Sequence, residues 1–212
     1  MSVDRETGVI SLLPHRKSRD FAVLDQVQSY WSSLLRDGAI PLRSEIDPRR
    51  IEDALEYAFI AERVTERLAK LRVAGAHLSD LAGMAVSGMP LGCMFTQSAR
   101  PHLAEATQPL FAKPAVIRLD MRSPTGTARE PIEAKMLLLP LRSDLGDVTR
   151  ALGCLATRGR IGRTPRRFEI TQITVSPIET APVTPERPVR PAPPRPQAPS
   201  GTPHLRLVVS ND

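Results

Sequence analysis

Phe21, Leu24, Val27, Trp31 and Leu34 recur three or four residues apart and are followed by Gly38 and Pro41. That period predicts one amphipathic helix, with Asp20 as its N-cap. A second, short helix is predicted from Asp47 to near Leu55, with Pro48 in the first turn, where its missing N–H does no harm. Strand-like runs follow at 57–64 and 68–75, joined at 65–67. Leu71 and Val73, with Lys70 and Arg72 between them, read as a half-buried strand. From Leu78 the apolar residues come in short helical clusters punctuated by Gly83 and Gly88, and a helix is predicted over 98–111. The second half is strand-rich. Ile117, Leu119 and Met121 alternate with Arg118, Asp120 and Arg122, strands are predicted at 132–141 and 150–157 around the polar turn RSDLGD, and 168–175 is a candidate for a further strand. Two strands, several short helices and three strands make an α+β plan: a five-stranded antiparallel sheet with short helices on one face, preceded by the amphipathic helix.

Composition sets the boundaries. Ten of the 28 residues from Ser176 to Pro203 are proline, a frequency that supports neither helix nor central strand. Residues 176–212 therefore read as a disordered tail, 1–19 as an extension and 20–175 as the folded domain. The tail contains Arg190, Pro193 and Pro196 in an RxxPxxP pattern that aromatic grooves recognise, though such matches also arise from composition. Its apolar end, LRLVVS at 205–210, either pairs with a sheet edge or frays.

A chain of 212 residues, 41% of them hydrophobic, holds one core of ordinary size. The net charge of +6 permits nucleic acid or anionic lipid as partners but speaks mainly to solubility and encounter. Cys93 and Cys154 are 61 positions apart with no paired-cysteine motif, which reads as two reduced core thiols. The N-terminus is charged where a signal peptide is apolar, and no stretch approaches the ~18 apolar residues of a membrane span, so a cytoplasmic protein is expected.

The string RLAKLRVAGAHLSDLAGMAVSGMPL resembles the second strand and following short helices of PAS domains. There a glycine ends the strand and a D-L-x-G segment turns the helices; here those residues are Gly75, Asp80, Leu81 and Gly83, with Gly88 beyond. The blocks WSSLLRDGAIPLRSEIDPRRIEDAL and MLLLPLRSDLGDVTRALGCL resemble the flanks of small bacterial PAS-like proteins without an attached output domain. The likeness spans roughly residues 28–157. It implies helices wrapped over a concave sheet face, with Leu71, Val73, Met84, Met89, Met94, Phe95, Phe111, Leu119 and Met136 as ligand-pocket candidates. Plain core filling is the alternative for the methionines. The resemblance further implies a sensory or adaptor role in signal transduction, exercised through protein contacts. It also suggests a homodimer across the Phe21, Leu24, Val27, Trp31 and Leu34 stripe, although the stripe suits the protein's own core as well.

No cofactor is expected. His102 lies on the helix that carries the iron ligand in heme-binding PAS proteins, but one imidazole is a weak signal, and His77 and His204 have less support. The run GCMFTQ matches the flavin motif N-C-R-F-L-Q at Cys93, Phe95 and Gln97. Gly92 and Met94 replace its asparagine and arginine, and the chain's sole asparagine is Asn211. No nucleotide loop, nucleophile elbow or HExxH occurs, so no enzyme is expected. The strongest charge feature is RGRIGRTPRR, with Arg158, Arg160, Arg163, Arg166 and Arg167. It is either a phosphate grip for nucleic acid or a nucleotide, or a solvated loop. The absence of aromatic residues inside it favours the loop.

Overall fold

The computed structural model of the protein describes residues 21–36, 38–124 and 130–178. Asp20, the extension 1–19, His204, the Arg190 to Pro196 pattern and the 205–210 segment lie outside the described residues. Helix α1 (Ala22–Ser33) precedes two short 3-10 helices (Arg43–Glu45 and Pro48–Ala54), then strands β1 (Ala58–Thr65) and β2 (Leu68–Ala74). Helix α2 (Ala76–Ala82), a 3-10 turn (Leu91–Met94) and helix α3 (Arg100–Ala112) follow. Strands β3 (Ala115–Arg122), β4 (Glu133–Arg142), β5 (Val148–Arg158) and β6 (Glu169–Pro177) complete one antiparallel sheet in the order β2-β1-β5-β4-β3-β6. The α+β plan is as predicted. The candidate sixth strand extends the sheet beyond β3 and runs two residues past the expected domain end at 175. Asp47 starts the second 3-10 helix as expected, its carboxylate accepting from the Arg49 N–H at 3.0 Å.

Both faces of the sheet are covered. The helix-side core gathers Leu78, Leu81, Met94, Phe95, Leu103, Leu110 and Phe111 against Phe59, Leu71, Leu119 and Met136. On the opposite face α1 and the Pro48–Ala54 helix lay Leu24, Val27, Trp31, Ile51 and Ala54 on Ile60, Leu137, Leu139, Leu141, Leu152 and Cys154. A central strand buried on both faces needs no polar alternation, which is why β4 carries the unbroken run Met136 to Leu141. Pro140 is tolerated there because β3 pairs with β4 only as far as Leu138. Its carbonyl accepts from the indole N–H of Trp31 at 3.0 Å instead.

The helix-stripe dimer is therefore corrected at its centre: Leu24, Val27 and Trp31 are buried against the chain's own sheet, with Phe21 and Leu34 half-buried at the rim. The centre of the stripe is spent on the chain's own sheet.

Two pocket candidates also require correction. In β2 the register slips between Ile60–Val73 and Ala61–Leu71, making Arg72 a bulge residue. The extra residue reverses the parity of side chains, so Leu71 enters the helix-side core and Val73 stands 56% exposed on the other face. Met84 is likewise 56% exposed. Gly83 ends α2 in the left-handed conformation at φ +70°, which throws Met84 outward and brings Val86 into the core.

Candidate functional site

Beyond α2 the chain returns to the edge of β2. The Leu71 N–H donates to the Met89 carbonyl at 2.9 Å, and the Gly88 N–H donates to the Leu71 carbonyl at 2.6 Å. Pro90 then turns it into the Leu91–Met94 helix, whose end is tied to the segment entering β6. There the Phe168 N–H donates to the Met94 carbonyl at 2.9 Å and the Thr96 N–H donates to the Phe168 carbonyl at 3.0 Å. These ties hold residues 89–93 away from α3 and leave a groove of about 410 Å³ between them and the start of β2.

Arg67, Leu68 and Ala69 form one wall of the groove, Met89 to Cys93 another, and Arg100, Leu103, Ala104 and Thr107 the third. Most of this surface is carbon. The Thr107 hydroxyl is spent on its own helix, donating to the Leu103 carbonyl at 3.0 Å. Arg100 Nε donates to the Gly92 carbonyl at 3.2 Å, bracing the groove's outer rim. Burial pushes the Cys93 thiol above its ordinary range, partly offset by the nearby positive charges of Arg100 and Arg167.

Of the predicted pocket residues, Met89 lines this groove. Leu71, Met94, Phe95, Phe111, Leu119 and Met136 lie in the packed helix-side core behind it. Sequence reasoning missed the α3 face, although Arg100, Leu103, Ala104 and Thr107 are spaced at i, i+3, i+4 and i+7. The available signal was Ala104 and Thr107, two small side chains at core-facing spacing where large ones would close the space.

Cys154 is fully buried and its pKa is pushed up to about 12 by burial. A small aromatic disulfide reagent at neutral pH is therefore expected to modify Cys93 slowly and leave Cys154 untouched until denaturant is added, because the thiolate is the reactive form. Thiol titration with and without guanidinium checks this; rapid native modification of both thiols would contradict it.

The arginine cluster is not one surface. Arg158 pairs with Glu133, and Arg166, 4% exposed, donates from Nη1 to the Glu130 carbonyl at 3.0 Å and from Nε to the Ile161 carbonyl. The Arg166 N–H also donates to the Leu81 carbonyl at 2.7 Å, so the segment straps the helical layer to the sheet. Arg160, Arg163 and Arg167 remain exposed.

Among the histidines, His102 is exposed on α3. His77 sits at the start of α2 with Nε2 3.0 Å from Thr157 Oγ1 and its ring edge-on to Tyr57 at 4.9 Å. Burial lowers the His77 pKa, against a smaller upward pull from Glu56 and Asp80. Its neutral form is therefore favoured in the fold. Its contribution to stability is whole above about pH 6.5 and falls as pH drops through that value toward the folded pKa. Melting curves between pH 5 and 8 should show this acid-side loss, and His77→Gln should flatten it; identical profiles would refute the assignment.

Among the described residues no group of three His, Cys, Asp or Glu is placed to hold a metal ion, and no helix is long and apolar enough to cross a membrane.

An antiparallel sheet with short helices wrapped over one face, and a groove between those helices and an edge strand, defines a small α+β module. A family model described as PAS domain matches residues 19–156. The chain belongs to the PAS domain family, whose membership supports a sensory role in signal transduction. A solved structure described as an RNA-binding Light-Oxygen-Voltage receptor is similar at 16% identity with a TM-score of 0.37, over 74% of this chain and 36% of that one. This chain thus spans about a third of that receptor's length. Comparison with curated proteins finds no match.

Proposed function

We propose that the protein is a PAS-type sensory adaptor that takes a small apolar ligand in the groove between β2 and α3 and signals through contact with another protein. The groove carries this reading. Its volume of about 410 Å³ falls within the roughly 300–1,000 Å³ of small-molecule sites, and its apolar walls match their usual lining. The neighbouring cores are filled with buried side chains, whereas the groove offers a ligand apolar contact without displacing any. The cavity of about 420 Å³ beside β3 and β4 is lined by Asp120, Arg122, Glu133 and Lys135 and is the more polar of the two.

Ala104, half-exposed on α3, is the position at which to close it. In the proposed reading, protein purified under non-denaturing conditions carries a non-covalent small molecule by native mass spectrometry, or is stabilised by members of an apolar panel. Ala104→Trp, folded by circular dichroism, loses both responses. A wild type that carries nothing and responds to nothing would sink the ligand half of the proposal. For the partner half, a captured partner should be recovered in different amounts by ligand-loaded and empty protein; equal recovery would sink it.

A further inference from the structure

We propose that the ligand is an amphipathic anion, an acyl carboxylate of medium length, free in solution, with its head between Arg67 and Arg100 and its chain along Leu68, Met89 and Leu103. This rests on the reading of the groove as a ligand site. The lining contains two guanidinium groups and no carboxylate, although Glu66 and Glu105 adjoin lining residues in sequence.

Four arginines of the sheet are paired with carboxylates, Arg72 and Arg150 with Glu62, Arg118 with Asp25 and Arg158 with Glu133, whereas Arg63 lies over the Phe111 ring and Arg142 donates to the Ile40 carbonyl. No ion pair among the described residues engages Arg67 or Arg100. Arg100 has committed only Nε, to the Gly92 carbonyl, leaving its terminal nitrogens for a ligand. Arg100 lies close enough to the Cys93 thiol on the groove wall for its charge to oppose part of the rise that burial causes there. A planar guanidinium fork matches a carboxylate in geometry as well as charge. The mouth is exposed, so solvent weakens the ion pairs; the buried chain supplies most of the affinity and the arginines select the head group.

The test is calorimetric titration of the full chain with hexanoate, octanoate and decanoate below their micellar concentrations, and with decanol and decyltrimethylammonium as head-group controls. Affinity should rise about fourfold per methylene until the groove is full. Decanoate should bind about tenfold more tightly than decanol, the size of a charge-assisted hydrogen bond. Arg67→Gln with Arg100→Gln should erase that preference, bringing the ratio of decanoate to decanol affinity, both measured on the same variant, to about one. Decanoate should also slow alkylation of Cys93 by a small maleimide, a readout that places the ligand in the groove without any substitution. Equal binding of decanoate and decanol, or a double variant that keeps the preference, overturns the anion and leaves the groove reading standing. Failure of every probe to bind or to protect Cys93 overturns both.

Discussion

Trp31→Ala is expected to destabilise the protein by about 3–5 kcal/mol, the usual loss for a large buried aromatic. The indole is 1% exposed and its N–H satisfies the Pro140 carbonyl, so truncation opens a cavity and leaves a buried acceptor unpaired. Against a total stability of roughly 5–15 kcal/mol, that is a large share. Leu24→Asp with Val27→Asp should go further, because two carboxylates would enter the face of the sheet that α1 covers. Circular dichroism beside size exclusion with light scattering reads the outcome. The double variant should be unfolded or aggregated; a folded monomer with the wild-type melting temperature would show that the stripe serves a partner.

Gly153→Val should cost about 3 kcal/mol or more, at the upper end of overpacking effects. Phe59 lies across its β5 partner Gly153, and a Cβ there would stand 2.1 Å from Phe59 Cζ and 2.2 Å from Cε2. Both distances are far inside van der Waals contact. The ring is 1% exposed and packed among core residues, so it has no open space to enter. Urea denaturation measures the loss, and Phe59→Leu added to Gly153→Val should recover part of it, since adjoining substitutions couple. A variant that unfolds at the wild-type urea concentration would disprove the contact.

The sheet was legible because period-two alternation in β3 and the long apolar run of β4 are local signals. Val73 was not, because the bulge at Arg72 reverses parity without a proline or glycine to announce it. The stripe on α1 was visible as a stripe, but what covers it depends on the sheet face at Leu137 and Leu139, more than 100 positions away. The groove was least legible. It is made by the absence of bulk at Ala104 and by backbone bonds at Leu71 and Met89, and neither leaves a periodic trace. The arginines at 158–167 looked like a single charged patch. Their fold separates them, since burying Phe168 and threading Arg166 between two carbonyls makes the segment a structural strap.

Helix α3 carries a mechanical consequence. Its 13 residues make a rod about 20 Å long that lines the groove near its start and crosses the sheet to β3 and β6. Pro109 lies inside it and has no N–H to give the Glu105 carbonyl, so the rod is jointed one turn from its far end. In the proposed ligand reading, a tilt of the groove segment meets a helix that lacks one backbone hydrogen bond a turn from its end, so less of the tilt is expected to reach β6 than an unbroken helix would carry.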